Sequence, residues 1–251
     1  MQNSFFCNFP YINLYEKNSV KSGLASQILY GEKFKIIKQY KKFLKIKTHF
    51  DKYVGYIENK NSFEKNKIIT HKVTALKTPI FKFPLNKKIY KTKNFLSFSS
   101  GLQILRRKGQ FIEYQKNKWI KKSDIHPINY KKRDCINVAK LFLNIKYKWG
   151  GKTFDGVDCS SLIQLFYKYN NKFFPRDTIE QIKQKKGIII KKKFKKGDII
   201  FWKGHVAVCI NSNNLIHAYG PKKKVLVMPI RKTIRKIERT AKLKVKKVFK
   251  I

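Results

Sequence analysis

A cysteine and two histidines are the residues of this chain whose types and spacing suit covalent chemistry. Cys159 opens an apolar stretch within an Asp-Cys-Ser-Ser sequence, and His205 and His217 follow on strand-like segments downstream. A thiol becomes an effective nucleophile when a histidine takes its proton and a third group orients that histidine. The pattern therefore predicts a cysteine hydrolase in which Cys159 attacks, His205 is the general base and His217 orients His205.

The residues around Cys159 predict that it lies at the first turn of a helix. Asp158 is a suitable N-cap, and apolar residues recur with helical spacing from 159 to 169. At that position the helix dipole and free amide groups are expected to lower the pKa of the thiol. The remaining cysteines and histidines have no comparable polar surroundings, and we expect structural roles for them: Cys7, Cys135, Cys209, His49, His71 and His126.

The hairpin between the two histidines sets a geometric condition on this site. A simple four-residue loop over 211–214 would place His205 and His217 on opposite faces of the sheet. Both must face the thiol, so we expect a different loop length or a β-bulge here.

The apolar pattern divides the chain near Pro127. Before it, short strand-like segments separated by glycines and polar turns form two loosely similar sets, which predicts two small β-barrels. After it, helical patterns (one starting near Arg133) precede strands at 198–202, 205–210, 215–218 and 225–228. Helices followed by an antiparallel sheet are typical of an α+β fold. The predicted domains are 1–62, 63–128 and 129–251.

The chain carries a formal net charge of +45, which would suit a nucleic-acid ligand. However, the cations are 52 lysines against 7 arginines, spread over the whole length, whereas base and phosphate recognition favours arginine. We therefore interpret the charge as compositional and expect no nucleic-acid partner. A positive field would still attract substrates rich in carboxylates. The lysine-rich tail, 222–251, is interpreted as a solvated, partly helical end.

Cysteine spacing and hydropathy restrict the remaining possibilities. The four cysteines have no CxxC spacing, so no disulfide framework, metal site or cofactor is expected. The N-terminal sequence has no basic region followed by a long apolar one, and no run of 18 apolar residues exists. These features predict a cytoplasmic protein without a membrane segment.

Six motifs in a fixed order give the region from about 130 to 230 a specific family resemblance. They are Tyr147-Lys148-Trp149-Gly150-Gly151, Asp158-Cys159-Ser160-Ser161, Phe174-Pro175-Arg176-Asp177, Gly197-Asp198-Ile199-Ile200-Phe201-Trp202, Gly204-His205-Val206-Ala207 and Leu215-Ile216-His217-Ala218. Together they resemble the NlpC cell-wall peptidase family of papain-like cysteine endopeptidases, which act on murein peptides. The family usually has glycine where Ser161 stands, which raises the question of packing behind the nucleophile.

The preceding segments resemble the bacterial SH3-like domains found ahead of this catalytic domain in γ-D-glutamyl-L-diamino-acid endopeptidases. The resemblance implies cleavage of L-Ala-γ-D-Glu from a diamino acid in murein peptides, with a free alanine amine. It also implies an acidic residue and a tyrosine from the first barrel near that amine, at the positions of Glu16 and Tyr53. Tyr147 would stand near the oxyanion, and Asp158 and Ser160 would contact substrate.

Two other functions are compatible with these residues. The same fold could act as an amidase or acyltransferase on another substrate, which would not need Glu16. Alternatively, the lysine-rich barrels could bind nucleic acid or an anionic wall polymer without catalysis, with binding that depends steeply on salt and not on Cys159.

Overall fold

The computed structural model describes residues 4–60, 63–83, 88–132, 134–184, 186–188 and 193–250. The chain forms two compact units, Met1–Lys131 and Lys132–Ile251. The helices and the predicted site sequence Asp-Cys-Ser-Ser belong to the second unit. Each unit has its own buried apolar core, as the division near Pro127 leads one to expect.

The first unit is built from antiparallel strands. In chain order they are β1 Ser4–Phe6, β2 Tyr11–Tyr15, β3 Leu24–Leu29, β4 Lys33–Gln39, β5 Phe43–Thr48, β6 Val54–Glu58, β7 His71–Val73, β8 Lys77–Lys82, β9 Tyr90–Ser97, β10 Gly101–Leu102, β11 Arg106–Lys108, β12 Phe111–Gln115, β13 Lys118–Lys121 and β14 Ile125–Pro127. Among the described residues, β1 to β6 form one sheet in the order β1-β4-β5-β6-β2-β3. The later strands form two sheets, β10-β7-β14 and β11-β12-β13-β8-β9.

The first sheet alternates buried and outward residues because one face covers an apolar core. In β5, for example, Leu44 and Ile46 are buried while the side chains between them are half exposed. Cys7 lies in this core, fully buried, and burial raises its pKa to about 12, which agrees with the structural role expected for it.

A second core lies among the later strands of the first unit and includes Tyr30 from the end of β3. The backbone N–H of Gly101 donates to the Tyr30 carbonyl oxygen at 2.8 Å, so the two sets of strands are in direct contact. Sheets are therefore present where strands were predicted. Their closure into barrels stays a prediction, and the proposed boundary at residue 62 lies outside the described residues.

The second unit combines helices with an antiparallel sheet, as the α+β prediction states. Its elements are α1 Cys135–Leu141, β15 Lys152–Thr153, β16 Gly156–Val157, α2 Cys159–Tyr169, α3 Thr178–Gln181, β17 Asp198–Trp202, β18 His205–Cys209, β19 Asn214–Tyr219, β20 Lys224–Pro229, α4 Ile230–Ala241 and β21 Lys247–Lys250. The order β20-β19-β18-β17-β21 forms the main sheet of the described residues. The predicted helix start at Arg133 falls outside them, as does part of the charged 183–196 segment.

The lysine-rich tail corrects one prediction. It is not a solvated end: β20 pairs along its whole length with β19, and β21 pairs with β17 at the other edge of the sheet. Val225, Val248 and Phe249 are buried, while Lys224 and Lys250 are exposed. The charge count concealed the apolar residues that the sheet buries. The strand at 225–228 and the helical part, α4, were expected, whereas β21 was not.

Helix α2 carries Cys159 as its first residue because its N-terminus is doubly capped. The backbone N–H of Ser161 donates to Asp158 Oδ1 at 2.8 Å, and the backbone N–H of Asp158 donates to Ser161 Oγ at 3.1 Å. This reciprocal capping box satisfies amide groups that a helix end leaves free. Ser161 is fully buried. The hydroxymethyl group in place of the family's usual glycine is therefore accommodated and takes part in the cap.

No helix in the described part of the chain combines the length and the apolar character that crossing a membrane requires.

Replacing Ser161 by alanine tests the capping box. The Ser161→Ala variant keeps the Asp158 acceptor but loses the reciprocal oxygen, so we expect the free energy of unfolding to fall by about 1 kcal/mol. Urea unfolding followed by tryptophan fluorescence measures this change. Ser123→Ala, on an exposed turn, is the control and should shift the midpoint negligibly. An unchanged midpoint in Ser161→Ala would show that the box contributes nothing.

Candidate active site

The register of β18 and β19 brings the two histidines to the same face of the sheet. Val208 pairs with Ile216 and Cys209 with Leu215, and the Ile210 N–H donates to the Asn214 carbonyl oxygen, so the paired residues are joined by a three-residue loop, 211–213. Residues 205 and 217 then lie on one face in diagonal positions. The expectation of a loop other than four residues is confirmed. On the other side of His205, Gly204 adopts a φ of +75°, a left-handed conformation that allows the tight turn from β17.

The two imidazole rings are directly linked. His205 Nε2 lies 2.9 Å from His217 Nδ1, and His217 Nε2 lies 3.3 Å from the thioether sulfur of Met228. A thioether only accepts hydrogen bonds, so the His217 proton is assigned to Nε2 and its Nδ1 is an acceptor. His205 must then donate from Nε2, which leaves its Nδ1 lone pair free to act as a base. Tyr219 stacks on His217 with ring centroids 4.7 Å apart and fixes the ring further.

The thiol of Cys159 meets the chain next to His205. Its Sγ lies 4.0 Å from the Gly204 carbonyl oxygen, and the residue is 6% exposed. Burial, followed by the nearby Asp158 carboxylate, raises the pKa of Cys159 to about 12, although the backbone N–H groups of Val206 and Ser160 oppose the rise. The predicted lowering of this pKa is therefore wrong, because burial outweighs the helix terminus.

Both histidines are held in the neutral form. Burial lowers the pKa of His205 to about 4, and burial together with the neighbouring His205 lowers that of His217 to about 3. A neutral thiol and neutral imidazoles do not form a preformed ion pair. Proton transfer must then accompany the attack of sulfur on a substrate.

A buried ion pair holds the N-terminus of α2. Arg176 donates from Nη2 to Asp158 Oδ2 at 2.6 Å and from Nη1 to Asp158 Oδ1 at 3.0 Å. Ser160 Oγ donates to Asp158 Oδ1 and accepts from Arg176 Nη1, while the Gly150 N–H donates to Asp158 Oδ2. Arg176 is 1% exposed. This network gives Asp158 and Ser160 positioning roles, and their predicted contact with substrate stays a prediction.

Arg176 belongs to one of the six sequence motifs, but the sequence alone does not predict its role. Its contact with Asp158 spans 18 positions of the chain, which local periodicity does not reveal. The sequence offered one signal, which is that Arg176 directly follows Phe174 and Pro175. An arginine among apolar residues needs a carboxylate partner if it is buried.

Tyr147 lies beside the thiol. Its ring packs on Gly220, where an added Cβ would stand 3.6 Å from Cζ, and its backbone N–H donates to the Lys223 carbonyl oxygen at 2.9 Å. Burial raises the pKa of the Tyr147 hydroxyl, and the neighbouring Cys159 and Asp158 raise it further. The hydroxyl is therefore a proton donor at neutral pH, as an oxyanion-stabilising group has to be.

Glu16 and Tyr53 belong to the first unit. The Glu16 side chain is exposed and lies over Gly23, where an added Cβ would come within 2.8 Å of its carboxyl carbon. Tyr53 is half-buried, and its backbone N–H donates to Thr48 Oγ1 at 2.9 Å. Their roles toward a substrate amine stay predictions.

No group of three His, Cys, Asp or Glu side chains suited to a metal ion occurs among the described residues.

The family model of the NlpC/P60 family matches residues 144–242, the segment that contains the thiol, both histidines and Arg176. Residues 144–242 are an NlpC/P60 domain. The model of the bacterial dipeptidyl-peptidase SH3 domain matches residues 14–61. The NlpC/P60 family is a family of cysteine peptidases.

The similarity to known proteins is not confined to the NlpC/P60 domain and also covers part of the first unit. A γ-D-glutamyl-L-lysine dipeptidyl-peptidase of Bacillus subtilis is 26% identical over 236 residues, covering 84% of this chain and 77% of the relative. One of the same name from Bacillus cereus is 35% identical over 106 residues, covering 39% of this chain and 31% of the relative. The crystal structure of an NlpC/P60 family protein from Bacillus cereus has a TM-score of 0.75 at 20% identity, covering 90% and 94% of the two chains. That likeness concerns the fold.

The pH dependence of peptidase activity, measured as kcat/KM, tests whether His205 is neutral at rest. The basic form is populated above its pKa of about 4, so kcat/KM should hold its value below pH 6.5 and fall only as the pH approaches about 4. The measurement is kcat/KM between pH 3.5 and pH 9 in a buffer of constant ionic strength. An acid limb centred near the ordinary histidine value of 6.5 would contradict the buried, neutral base.

Folding stability has to be measured in parallel, because the lowered pKa of His205 also makes the free energy of unfolding depend on pH. Unfolded histidine binds a proton below about 6.5, whereas buried His205 does so only near 4. The stabilisation is therefore complete above pH 6.5 and is lost as the pH falls towards 4. Tryptophan fluorescence recorded at each pH separates loss of the base from loss of the fold.

Met228 tests the tautomer assignment. The Met228→Leu variant keeps the volume but removes the acceptor for His217 Nε2–H, so we expect kcat to fall by about threefold to tenfold with KM unchanged. Met228→Gln, whose amide oxygen accepts a hydrogen bond, should restore kcat. Nitrogen-15 NMR of the histidines reports the tautomer directly. Wild-type kcat and an unchanged His217 tautomer in Met228→Leu would overturn the assignment.

Proposed function

We propose that this protein is a cysteine endopeptidase that hydrolyses the bond between γ-D-glutamate and the diamino acid of free murein peptides, such as L-Ala-γ-D-Glu-diaminopimelate. The observation that carries the proposal is the presence in one chain of two domains. One is an NlpC/P60 domain with a buried thiol at the start of a helix and two linked histidines, and the other is a dipeptidyl-peptidase SH3 domain. The names of the relatives support the same bond type.

Catalysis is proposed to start with attack of Cys159 Sγ on the γ-glutamyl carbonyl carbon. As the S–C bond forms, the thiol proton moves to His205 Nδ1, and the carbonyl oxygen becomes an oxyanion. The Tyr147 hydroxyl and the backbone N–H of Cys159 are proposed to donate to it. Collapse of the tetrahedral intermediate breaks the C–N bond, and the proton on His205 passes to the leaving amine.

Deacylation completes the cycle. A water molecule gives its proton to His205 and attacks the thioester, which releases L-Ala-D-Glu and returns the thiol. Throughout, His217 accepts from His205 Nε2–H and keeps the ring in one orientation. Because both histidines are neutral at rest, the positive charge on His205 exists only between its gain and its loss of this proton.

The first unit is proposed to supply the specificity for a free alanine amine, through Glu16 as an anionic partner and Tyr53 beside it. With this role we propose the layout of two SH3-like barrels, 1–62 and 63–128, before a catalytic domain at 129–251. The biological task proposed is recycling of short wall peptides in the cytoplasm. None of the four cysteines, all of which lie in the described residues, forms a disulfide, which supports a reducing compartment.

Cleavage of a synthetic tripeptide tests the proposal. Purified, reduced protein is incubated with L-Ala-γ-D-Glu-diaminopimelate or with its N-acetylated form, and products are identified by mass spectrometry. We expect L-Ala-D-Glu from the free-amine peptide alone, and no product from Cys159→Ala. Glu16→Gln should lower kcat/KM for the free-amine peptide by about tenfold or more, because it removes a charged partner.

Three outcomes would decide against the proposal. Cleavage of both peptides, unaffected by Glu16→Gln, would favour an amidase or acyltransferase on another substrate. No cleavage by folded protein would sink the murein assignment. Salt-dependent binding of nucleic acid or wall polymer that survives Cys159→Ala would then indicate a non-enzymatic binder.

A further inference from the structure

A cavity of about 390 Å³ lies between the histidine face of the sheet and helix α4, entirely within the second unit. On one side its wall contains Tyr147, His205 and Tyr219. On the other side the wall is formed by α4 and the residues after it, including Lys236, Ile237 and Leu243. The cavity therefore opens on two groups of the proposed catalytic apparatus.

The position of His205 identifies which part of a substrate this cavity takes. In the proposed reaction His205 gives its proton to the leaving amine, so the leaving group has to lie against this imidazole when the C–N bond breaks. The acyl part, by contrast, stays bonded to Cys159 at the N-terminus of α2. A cavity whose wall includes His205 and extends away from α2 toward α4 is thus placed to hold the leaving amino acid.

The wall of this cavity is positively charged. Among the described residues that line it, Lys236 is the one with a permanent charge, and none is acidic. Lys236 is half-buried, so part of its side chain belongs to the cavity wall. Neighbouring positions of α4 add the positive charges of Arg235 and Arg239, and Glu238 on the same helix offsets one of them.

We infer that Lys236 is a specificity-determining residue that pairs with a free carboxylate of the leaving diamino acid. The inference rests on the proposed function and adds the chemistry of the leaving group to it. The carboxylate comes from one of two places: the α-carboxylate, which every C-terminal diamino acid carries, or a second carboxylate at the end of the side chain, as in diaminopimelate. A side chain ending in an ammonium group, as in lysine, would be repelled from Lys236.

Three peptides and two matched variants test this inference. The peptides are L-Ala-γ-D-Glu-diaminopimelate, L-Ala-γ-D-Glu-L-Lys and L-Ala-γ-D-Glu-L-Lys-amide, and kcat/KM is measured for each. Lys236→Gln removes the charge from the cavity. Lys232→Gln removes the same charge from an exposed position of α4 that does not line the cavity.

The expected result is a preference that depends on Lys236. If the side-chain carboxylate is bound, wild-type protein prefers diaminopimelate to lysine by about tenfold and Lys236→Gln abolishes that preference. If the α-carboxylate is bound, amidation of the lysine peptide costs wild-type protein about tenfold and costs Lys236→Gln nothing. Lys232→Gln should behave as wild type in both comparisons.

Two results would overturn the inference, and they differ from each other. Ratios between peptides that are equal in wild type, Lys236→Gln and Lys232→Gln would remove the role of Lys236 while leaving the peptidase function intact. Cleavage of none of the three peptides by folded wild-type protein would remove the proposed function and this inference with it.

Discussion

The ion pair between Asp158 and Arg176 is the interaction on which the geometry around Cys159 depends. It binds a carboxylate at the start of α2 to a guanidinium from the segment that follows the helix, with almost no exposure to solvent. Loss of one partner from a buried pair leaves an uncompensated charge, at a cost of about 3–5 kcal/mol. The neighbouring Ser160 is also buried and belongs to the same network. The helix terminus is thus fixed before any substrate binds.

The sheet supplies the second half of the site. A left-handed glycine and a three-residue loop set His205 and His217 on one face, and Met228 and Tyr219 hold the second ring in place. The site therefore combines one rigid helix end with one rigid strand pair. Precise relative placement of nucleophile and base is what such a reaction needs, and elements of regular structure provide it better than loops.

Several features were predictable from the sequence because they are local. The motif around Cys159 indicated the helix start and its cap, and the strand pattern indicated the hairpin that carries both histidines. Because both histidines had to lie on one face of the sheet, the sequence also argued against a four-residue loop. Other features were not predictable because they are set by contacts between distant residues. Arg176 finds its partner across 18 positions, and the pKa of Cys159 follows from burial that no local pattern reports.

The tail shows how composition misleads. Thirteen Lys and Arg residues between 222 and 251 suggested a solvated end, yet β20 and β21 occupy both edges of the main sheet. Strands with charged residues on the outer side suit sheet edges, where they discourage pairing with other chains. The lysines are therefore compatible with an edge position, and the apolar residues between them decided the structure.

The neutral state of Cys159 has a chemical consequence for the protein at rest. Peroxides and alkylating reagents react with thiolates far faster than with thiols, and a cysteine with a pKa of about 12 and 6% exposure offers them little of either form. In the proposed reaction, the thiol gains its reactivity only when a carbonyl carbon is present to receive the sulfur as the proton leaves. Selectivity for the reaction is thus combined with resistance to oxidative damage, since the same burial that excludes water from the thiol also withholds it from accidental electrophiles.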